Sequence, residues 1–274
     1  MDYKDMNNWV VNILKHINVL KIKFRNALIS QWEYKSNIIS ALITNILFLM
    51  ITIAFLGALF QYIPAMKGWG MYEIIIYSMI VSMTLDIHRF IFIGFDRQVM
   101  NGRFNTYLVK PINEFFLALI IDIPSLIYML TAFILILLII FHEGIVLSLN
   151  NTLLAILFYI VALPMYFFIL TGFRSLVFWF GEVWQIENIY NSLLYSFDNI
   201  PIIIIPRTLM ILFISITPVA YFNWYIPTGI LLGKFSLGFI LEMLALTIAI
   251  NIFLGGIALL IYKKGLRKYE GFGG

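Results

Sequence analysis

Four ionisable residues interrupt apolar stretches of the sequence and are the first candidates for chemistry: Asp86, His88, Arg89 and Asp122. A charge at the centre of a lipid bilayer costs on the order of 3 kcal/mol on insertion scales, so such a residue usually faces protein or water. Asp86 and Arg89 are three residues apart and are able to pair on one face of a helix. The four residues are compatible with a path for a substrate or a proton, but an ion pair near the membrane surface explains them more simply.

Catalytic and metal-binding motifs are not evident. The sequence contains no cysteine, which excludes thiolate chemistry. Its three histidines, His16, His88 and His142, are scattered without ligand spacing, and no HExxH or GxSxG motif occurs. Glu182 and Glu187 are five residues apart, which turns them roughly 140° from each other on a helix. We therefore predict no catalytic residue, no metal site and no enzymatic activity in this chain.

A nucleotide-binding loop is not predicted either. The stretch GILLGKF, 229–235, has three residues between its glycines, where a phosphate-binding loop has four. Phe235 follows the lysine, where that motif needs a hydroxyl group. The chain is therefore expected to bind no cofactor itself, and if ATP drives it, the ATPase is another chain.

The composition indicates a polytopic membrane protein. The chain has 274 residues, of which 62% are hydrophobic and 12% are charged, whereas a soluble domain holds roughly a quarter charged residues. No cleavable signal peptide is apparent, because the first long apolar run begins only near Ile38. We find no internal repeat and no soluble domain, so residues 1–274 are expected to form a single membrane domain.

Six apolar stretches are predicted to cross the membrane as helices, because about 20 residues span its roughly 30 Å hydrocarbon core. They are 38–60, 71–95, 115–141, 152–176, 202–219 and 237–262. Pro124 is expected to kink the third of these spans. The predicted fold class is therefore all-α, with six transmembrane helices.

Two further segments are predicted to lie at or in the membrane. Residues 8–35 have apolar side chains at helical spacing, with Lys23 away from that face, which predicts an amphipathic helix in the membrane interface. Lys21 lies on the apolar face and would have to extend its ammonium group to water. A soluble helix that packs on a partner is the alternative. Residues 220–236 are apolar but broken by Pro227, so they are predicted to enter the membrane and return on its outer side.

The distribution of Lys and Arg predicts the orientation. Nearly all of them lie in the amino-terminal segment, in 96–113, in 174–207 and in the tail, while the opposite loops carry only Lys67 and Lys234. Cytoplasmic loops hold an excess of Lys and Arg. Both termini are therefore predicted to be cytoplasmic. Six spans agree with this, because an even number of spans puts both termini on the same side of the membrane.

The segment 96–113 is long and basic compared with the other loops between predicted spans. Gly102 is suited to end the helix that leaves the second span, and Pro111 is suited to begin the third. A rigid element anchored between two spans is what a separate ATPase would need to push the membrane part. An ordinary positively charged loop is the alternative. The basic residues are Arg97, Arg103 and Lys110.

Four stretches, in order, resemble ABC-2 permeases and, more narrowly, a branch of six-span bacterial permeases. NGRFNTYLVKPIN resembles the loop between the second and third spans of that family. RSLVFWFGEVWQIENI resembles a run after the fourth span, and ITPVAYFNWYIPTGILLGK resembles a run before the last span. GLRKYEGFGG resembles the closing tail, although Phe272 stands where a small residue is common.

The resemblance implies roles for residues at matching positions. The loop that faces the ATPase would include Gly102, Leu108, Pro111 and Asn113, beside the basic Arg97, Arg103 and Lys110. The re-entrant outer segment would include Pro218, Tyr225, Pro227, Leu232 and Gly233.

The resemblance also implies a function. Such a chain would be a permease subunit of an ATP-driven exporter in the bacterial cell membrane, paired with a like or different permease and with ATPase subunits that bind ATP and Mg²⁺. A mostly apolar and aromatic path would suit amphiphilic, drug-, peptide- or lipid-like cargo, in contact with membrane lipids and without a nucleic-acid partner. Two alternatives stay open: a secondary transporter or channel that works without an ATPase, and a membrane scaffold or immunity protein.

Overall fold

The computed structural model describes residues 3–33, 35–63, 65–111, 113–145, 147–198 and 200–269. The helices are α1 (Tyr3–Glu33), α2 (Lys35–Tyr62), α3 (Met71–Phe90), α4 (Phe95–Met100), α5 (Asn105–Leu108), α6 (Glu114–Leu117), α7 (Ile123–His142), α8 (Leu149–Ala162), α9 (Pro164–Ser175), α10 (Val177–Phe180), α11 (Trp184–Tyr195), α12 (Arg207–Ile216), α13 (Ile226–Leu231) and α14 (Leu237–Lys268). The other elements are the strands β1 (Ile91–Ile93) and β2 (Leu119–Ile121), a 3-10 turn (Ile202–Ile204) and a π-helical turn (Ala220–Tyr225).

Four helices in the described residues are long and apolar enough to cross a membrane: α2, α7, the run α8–α10 and α14. A fifth crossing is added if the bent pair formed by α12 and the segment Ala220–Leu231 counts as one span. The prediction of a helical, polytopic membrane protein is confirmed at this level, whereas the number of six spans stays a prediction. The last helix, α14, continues past the predicted end at residue 262 to Lys268.

The inner helix of the bundle is α3. Twelve of its 20 residues are buried, although it carries Glu73, Asp86 and Arg89. The helices α2 and α7 and the π-helical turn pack around it. Its Tyr77 hydroxyl group donates a hydrogen bond to the carbonyl oxygen of Phe197 at 2.7 Å. A helix with this many polar groups is stable inside an apolar bundle because neighbouring elements form hydrogen bonds with those groups.

An antiparallel strand pair, absent from the prediction, separates the second and third spans. Ile91 pairs with Ile121 and Ile93 with Leu119, so α3 ends at Phe90 rather than at the predicted residue 95. The predicted third span, 115–141, also starts later than expected. Its helix α7 begins at Ile123, because the Asp122 side chain accepts a bond from the Ser125 backbone and Pro124 occupies the first turn. Pro124 therefore starts this helix and does not kink it.

The predicted fourth span, 152–176, is longer in the structure and is interrupted at Pro164, whose nitrogen donates no hydrogen bond. Each of the three carbonyl groups before the proline bonds to a side chain from a different element: Val161 to Asn251 of α14 (2.7 Å), Ala162 to Asn223 of the π-helical turn (2.9 Å) and Leu163 to Nε2 of His88 of α3 (3.0 Å). We call this set the Pro164 node. It joins three elements to the fourth span through three successive backbone carbonyl groups.

The predicted fifth span, 202–219, is not a continuous helix. Its residues form the 3-10 turn, then α12, which ends at Ile216, and the chain then bends by 103° into Ala220–Leu231. Pro206 stands just before α12, and Pro218 follows its end, so the missing N–H groups favour a break on both sides of this helix.

Three of the predicted outer loops meet at one end of the molecule. The Lys234 ammonium group lies 2.8 Å from a Glu73 carboxylate oxygen and donates to the Gly68 carbonyl oxygen at 2.9 Å. Gly233, whose φ is +69°, lies close to Asn151 of α8, because a Cβ added to this glycine would lie only 3.0 Å from the Asn151 amide nitrogen. The loops before α3, before α8 and before α14 therefore lie together.

Candidate functional site

The segment between the strands, residues 94–118 without residue 112, which lies outside the described part, forms a compact unit that we call the hairpin. The strand pair closes its base, and two more backbone bonds extend it, from Gly94 N to Ala118 O at 3.0 Å and from Asp122 N to Phe90 O at 2.9 Å. Inside it lie α4, α5 and α6. The predicted coupling loop, 96–113, is thus a folded element with a closed base and not an extended loop.

Five aromatic side chains fix the hairpin to two membrane helices. We call Phe95, Phe104, Phe178, Tyr262 and Tyr269 the aromatic cluster. The Phe95 and Phe178 rings stack at 5.8 Å between centroids, and Phe95 meets Tyr262 edge-on at 5.6 Å. Phe104 meets Tyr269 edge-on at 5.6 Å. Because Phe95 and Phe104 are fully buried in these contacts, the hairpin packs closely against α10 and the end of α14.

Two polar contacts add to this attachment. The Tyr262 hydroxyl group of α14 donates to a Glu114 carboxylate oxygen of α6 at 2.8 Å. The Lys23 ammonium group of α1 donates to the carbonyl oxygens of Leu117 and Leu119, at 2.6 Å each. Partial burial, and then the charge of Lys110, lower the pKa of Lys23. The sequence pattern predicted that Lys23 lies away from the apolar face of its helix, but it did not predict these hydrogen-bond partners.

Two glycines allow the close packing at this end. A Cβ at Gly94 would overlap the Ile120 side chain of β2. A Cβ at Gly265 would overlap the Phe178 and Trp179 rings, so only glycine lets α14 approach α10 this closely.

Most of the residues predicted for the coupling loop lie on the outer surface of the hairpin. Gly102 has φ +67° and follows the end of α4, as its predicted role requires. Pro111 does not begin the third span, because Pro124 does so farther along the chain. Leu108 is 42% and Val109 is 84% exposed, which leaves an apolar tip among cations. The exposed residues of the predicted set are Arg97, Arg103, Leu108, Lys110, Pro111 and Asn113.

The four ionisable residues of the apolar stretches come together around two adjoining cavities of about 400 and 330 Å³. Both cavities share Leu85, Arg89 and Tyr195 in their lining. The larger one, which we call the Arg89 cavity, also contacts Asp86 and lies between α2, α3, α7 and α11. His88 and Asp122 line the smaller one.

Two of these four residues have structural roles. The Asp122 carboxylate accepts from the Ser125 hydroxyl group at 2.6 Å and from its backbone N–H at 3.2 Å. The His88 ring lies between the carbonyl oxygens of Thr84, 2.6 Å from Nδ1, and Leu163, 3.0 Å from Nε2. Both side chains therefore satisfy the backbone at places where helices begin or break.

Asp86 and Arg89 face the cavity. One guanidinium nitrogen of Arg89 lies 3.4 Å from the Asp86 carboxylate, and another donates to the Tyr195 hydroxyl group at 2.9 Å. The Asp86 side chain is 8% exposed and that of Arg89 is 55% exposed. The predicted pair is present, but it is long compared with charge-assisted hydrogen bonds of about 2.7–2.9 Å.

A stronger ion pair joins α9 to α11. Arg174 donates to both carboxylate oxygens of Glu187, at 2.9 and 2.7 Å. Because Arg174 lies on another helix, the spacing of Glu187 from Glu182 gave no indication of this contact. Burial raises the pKa of the nearby Asp96, and the charge of Arg174 opposes that rise.

The residues predicted for the re-entrant segment lie in and after the bent pair. Tyr225 is buried and its ring lies 5.5 Å from that of Trp69. Pro227 occupies the first turn of α13, and Gly233 follows the end of this helix. Pro218 and Leu232 are half-buried. Within the described residues no group of three His, Asp or Glu side chains is arranged to hold a metal ion.

Comparison with known proteins gives one match. A family model described as "ABC-2 family transporter protein" matches residues 46–273, which include most of α2 and every later element up to the tail. The helix α1 lies outside the match. No curated protein and no solved structure matches the chain.

Proposed function

The chain belongs to the ABC-2 family of transporter proteins, as a permease component of an ABC transporter, and from this premise we propose that it works in an ATP-driven exporter of amphiphilic cargo. A separate ATPase subunit would bind ATP and Mg²⁺, and a second permease, like or different, would complete the membrane part. The observation that carries this proposal is the attachment of the hairpin to three helices, α1, α10 and α14, at one end of the molecule.

The hairpin would act as the coupling element. Its outer surface offers Arg103 and Lys110 beside the exposed Leu108 and Val109, which is a suitable surface for an ATPase chain. A push on this surface reaches the aromatic cluster directly, because Phe104 joins the hairpin to Tyr269 and Phe178. Such a rigid link is what a change between inward- and outward-open states requires.

The contacts favour a revised path for the chain before α14. Tyr77 of α3 bonds to Phe197, and Lys67 of the loop before α3 donates to the Ile205 carbonyl oxygen at 3.3 Å. We propose that residues 184–205 make the fifth crossing and that 207–231, with its 103° bend, enters the membrane and returns. Six crossings then put both termini and the hairpin, which hold most of the cations, on the cytoplasmic side, whereas Arg207 comes to lie on the outer side.

Co-purification tests the partnership. The double variant Arg103→Glu with Lys110→Glu should lose most of a co-purifying chain that hydrolyses ATP, because two exposed cations of the hairpin become anions. The control Lys67→Glu makes the same kind of change in the loop before α3 and should keep the partner. Both variants should insert into membranes like the parent protein.

Two outcomes would contradict the proposal. One is the same yield of the ATPase, with the same turnover, from the double variant and the parent. The other is transport by the isolated chain in liposomes without nucleotide, which would favour a secondary transporter or channel.

A further inference from the structure

We propose that Lys23 of α1 and Lys110 of the hairpin together bind the phosphate group of an anionic membrane lipid. The inference goes beyond the proposed function and takes from it only the side of the membrane on which the hairpin lies. Three observations carry it: the fold brings the two ammonium groups together, neither has an acidic partner, and both lie near the ends of membrane helices.

The two lysines are neighbours although they are far apart in the sequence. Leu20 of α1 and Tyr107 of α5 pack against the same buried core around the aromatic cluster. Lys23 follows Leu20 by about one helical turn, and the Lys110 ammonium group lies over the Tyr107 ring, 5.6 Å from its centroid. Partial burial lowers the pKa of Lys23, and the positive charge of Lys110 lowers it further. The two ammonium groups therefore lie within electrostatic range of each other.

These two charges have no acidic partner. Within the described residues neither ammonium group forms an ion pair with a carboxylate. Lys23 donates to two backbone carbonyl groups, at 2.6 Å each, which leaves one of its three N–H groups. Two neighbouring charges of the same sign repel each other, and the half-buried one has also lost part of its hydration. An anion between the two lysines would offset both costs.

The site lies where membrane helices end. Phe24, next to Lys23, meets Phe90 edge-on at 6.4 Å between ring centroids, and Phe90 is the last residue of α3. Leu119, which accepts a hydrogen bond from Lys23, begins the strand that leads to α7. Because the ends of membrane helices lie near the lipid headgroups, phosphate groups are the anions nearest to the two lysines.

The exposed side of α1 favours a lipid as the source of that phosphate. Ile22, Ile29 and Trp32 are each more than half exposed, and large apolar side chains are costly to leave in water. A helix in the membrane interface places such side chains among acyl chains, while its lysines reach the headgroups. A free anion would satisfy the charges of the two lysines but would leave these apolar side chains uncovered.

Lipid counting by native mass spectrometry tests the proposal. The full chain in detergent, without ATP or an ATPase, is titrated with phosphatidylglycerol and phosphatidylcholine, which carry the same acyl chains and differ in the net charge of the headgroup. The first bound lipid should be phosphatidylglycerol, with a preference of about tenfold or more. Lys110→Met should lower this preference by roughly fivefold, and Lys110→Arg should keep it, because a cation remains.

Lys15→Met is the matched control. Lys15 is an exposed residue of the same helix and lies eight residues before Lys23, which is about 12 Å along the helix axis. This distance exceeds the Debye length of about 10 Å at about 0.1 M salt, so the control should leave the preference unchanged. Lys23→Met should lower the preference as Lys110→Met does. Because Lys110 is exposed, its variant keeps the test valid if Lys23→Met loosens the hairpin.

A second control separates the site from the proposed function. Lys110 also belongs to the surface proposed for the ATPase, whereas Arg103 belongs to that surface alone. Arg103→Met should therefore weaken co-purification of the ATPase and leave the lipid preference unchanged. A chain that prefers phosphatidylglycerol but has no ATPase partner would support the site alone. A chain that keeps its ATPase but binds both lipids equally would support the partnership alone.

Three results would overturn the site. The first is equal binding of both lipids by the parent chain. The second is an equal effect of Lys110→Met and of the two controls, which would show only a diffuse attraction of anions. The third is displacement of phosphatidylglycerol by an excess of inorganic phosphate, which would assign the two lysines to a free anion.

Discussion

At the scale of residues, Lys23 joins two parts of the molecule through one ammonium group. The Leu117 carbonyl group stands at the last residue of α6 and has no donor within that helix, and the Leu119 carbonyl group follows at the start of β2. An ammonium group has three donors and is able to serve both. The helix α1 lies before the part of the chain that matches the family model. The Lys23 contact therefore attaches to the hairpin a helix that lies outside the family match.

Replacement of this lysine should loosen the base of the hairpin. Lys23→Met keeps an unbranched side chain but removes both charge-assisted hydrogen bonds, each worth about 1.5–3 kcal/mol. We expect amide hydrogen exchange of peptides that cover 117–122 to accelerate by roughly tenfold or more. Lys15→Met, at an exposed site on the same helix, is the matched control and should leave that exchange unchanged. Equal exchange in both variants would show that α1 does not hold the hairpin.

At the scale of elements, the Pro164 node makes the fourth span a common support for its neighbours. Donors from α3, the π-helical turn and α14 reach three successive carbonyl groups. In an apolar interior without water, each such hydrogen bond also satisfies a side-chain donor that would otherwise be buried without a partner. The interruption at Pro164 therefore ties the bundle together rather than weakening it.

Loss of one donor from the node should destabilise the whole bundle. Asn223→Leu retains the approximate size of a fully buried side chain but leaves the Ala162 carbonyl group without its donor. We expect a loss of about 1–3 kcal/mol in the free energy of unfolding, seen as a lower midpoint of thermal unfolding in detergent. Ser215→Ala on the exposed face of α12 should leave the midpoint unchanged. A midpoint for Asn223→Leu equal to that of the control would contradict a supporting role.

The elements also show what local sequence patterns are able to predict. Apolar runs located α2, α7, α8–α10 and α14, because long hydrophobic stretches in a membrane protein have few alternatives to a helix. They did not predict the pairing of Ile91 with Ile121, since that contact joins residues far apart in the sequence. For the same reason, the sequence did not predict the partners of Arg174 and Lys23. The pair of Asp86 and Arg89 was predicted, because its two residues lie within one turn of the same helix.

At the scale of the whole molecule, two separate ends are evident. One holds the hairpin, the aromatic cluster and the last turns of α14. The other holds the loops before α3, α8 and α14, joined by Lys234 with Glu73 and Gly68. A force applied to the hairpin has a packed route into the bundle, which is the arrangement that alternating access needs.

Single cysteines would test the proposed path of the chain, because the 274 residues contain none. Cysteines at Lys67 and Arg207 should react with a membrane-impermeant thiol reagent added outside the cell, and a cysteine at Arg103 only after the membrane is opened. The predicted fifth span at 202–219 would put Arg207 near the inner side instead. Labelling of Arg207→Cys only from the inside would therefore contradict the crossing at 184–205.

The most direct measurement is transport into sealed liposomes by the chain alone and by the chain with its co-purified ATPase. We expect movement of an amphiphilic compound only when the ATPase and ATP are both present, and loss of that movement with Arg103→Glu and Lys110→Glu in the hairpin. Full transport by the isolated chain without nucleotide, or full ATP-driven transport by the double variant, would contradict the claim that a separate ATPase drives this permease through the hairpin.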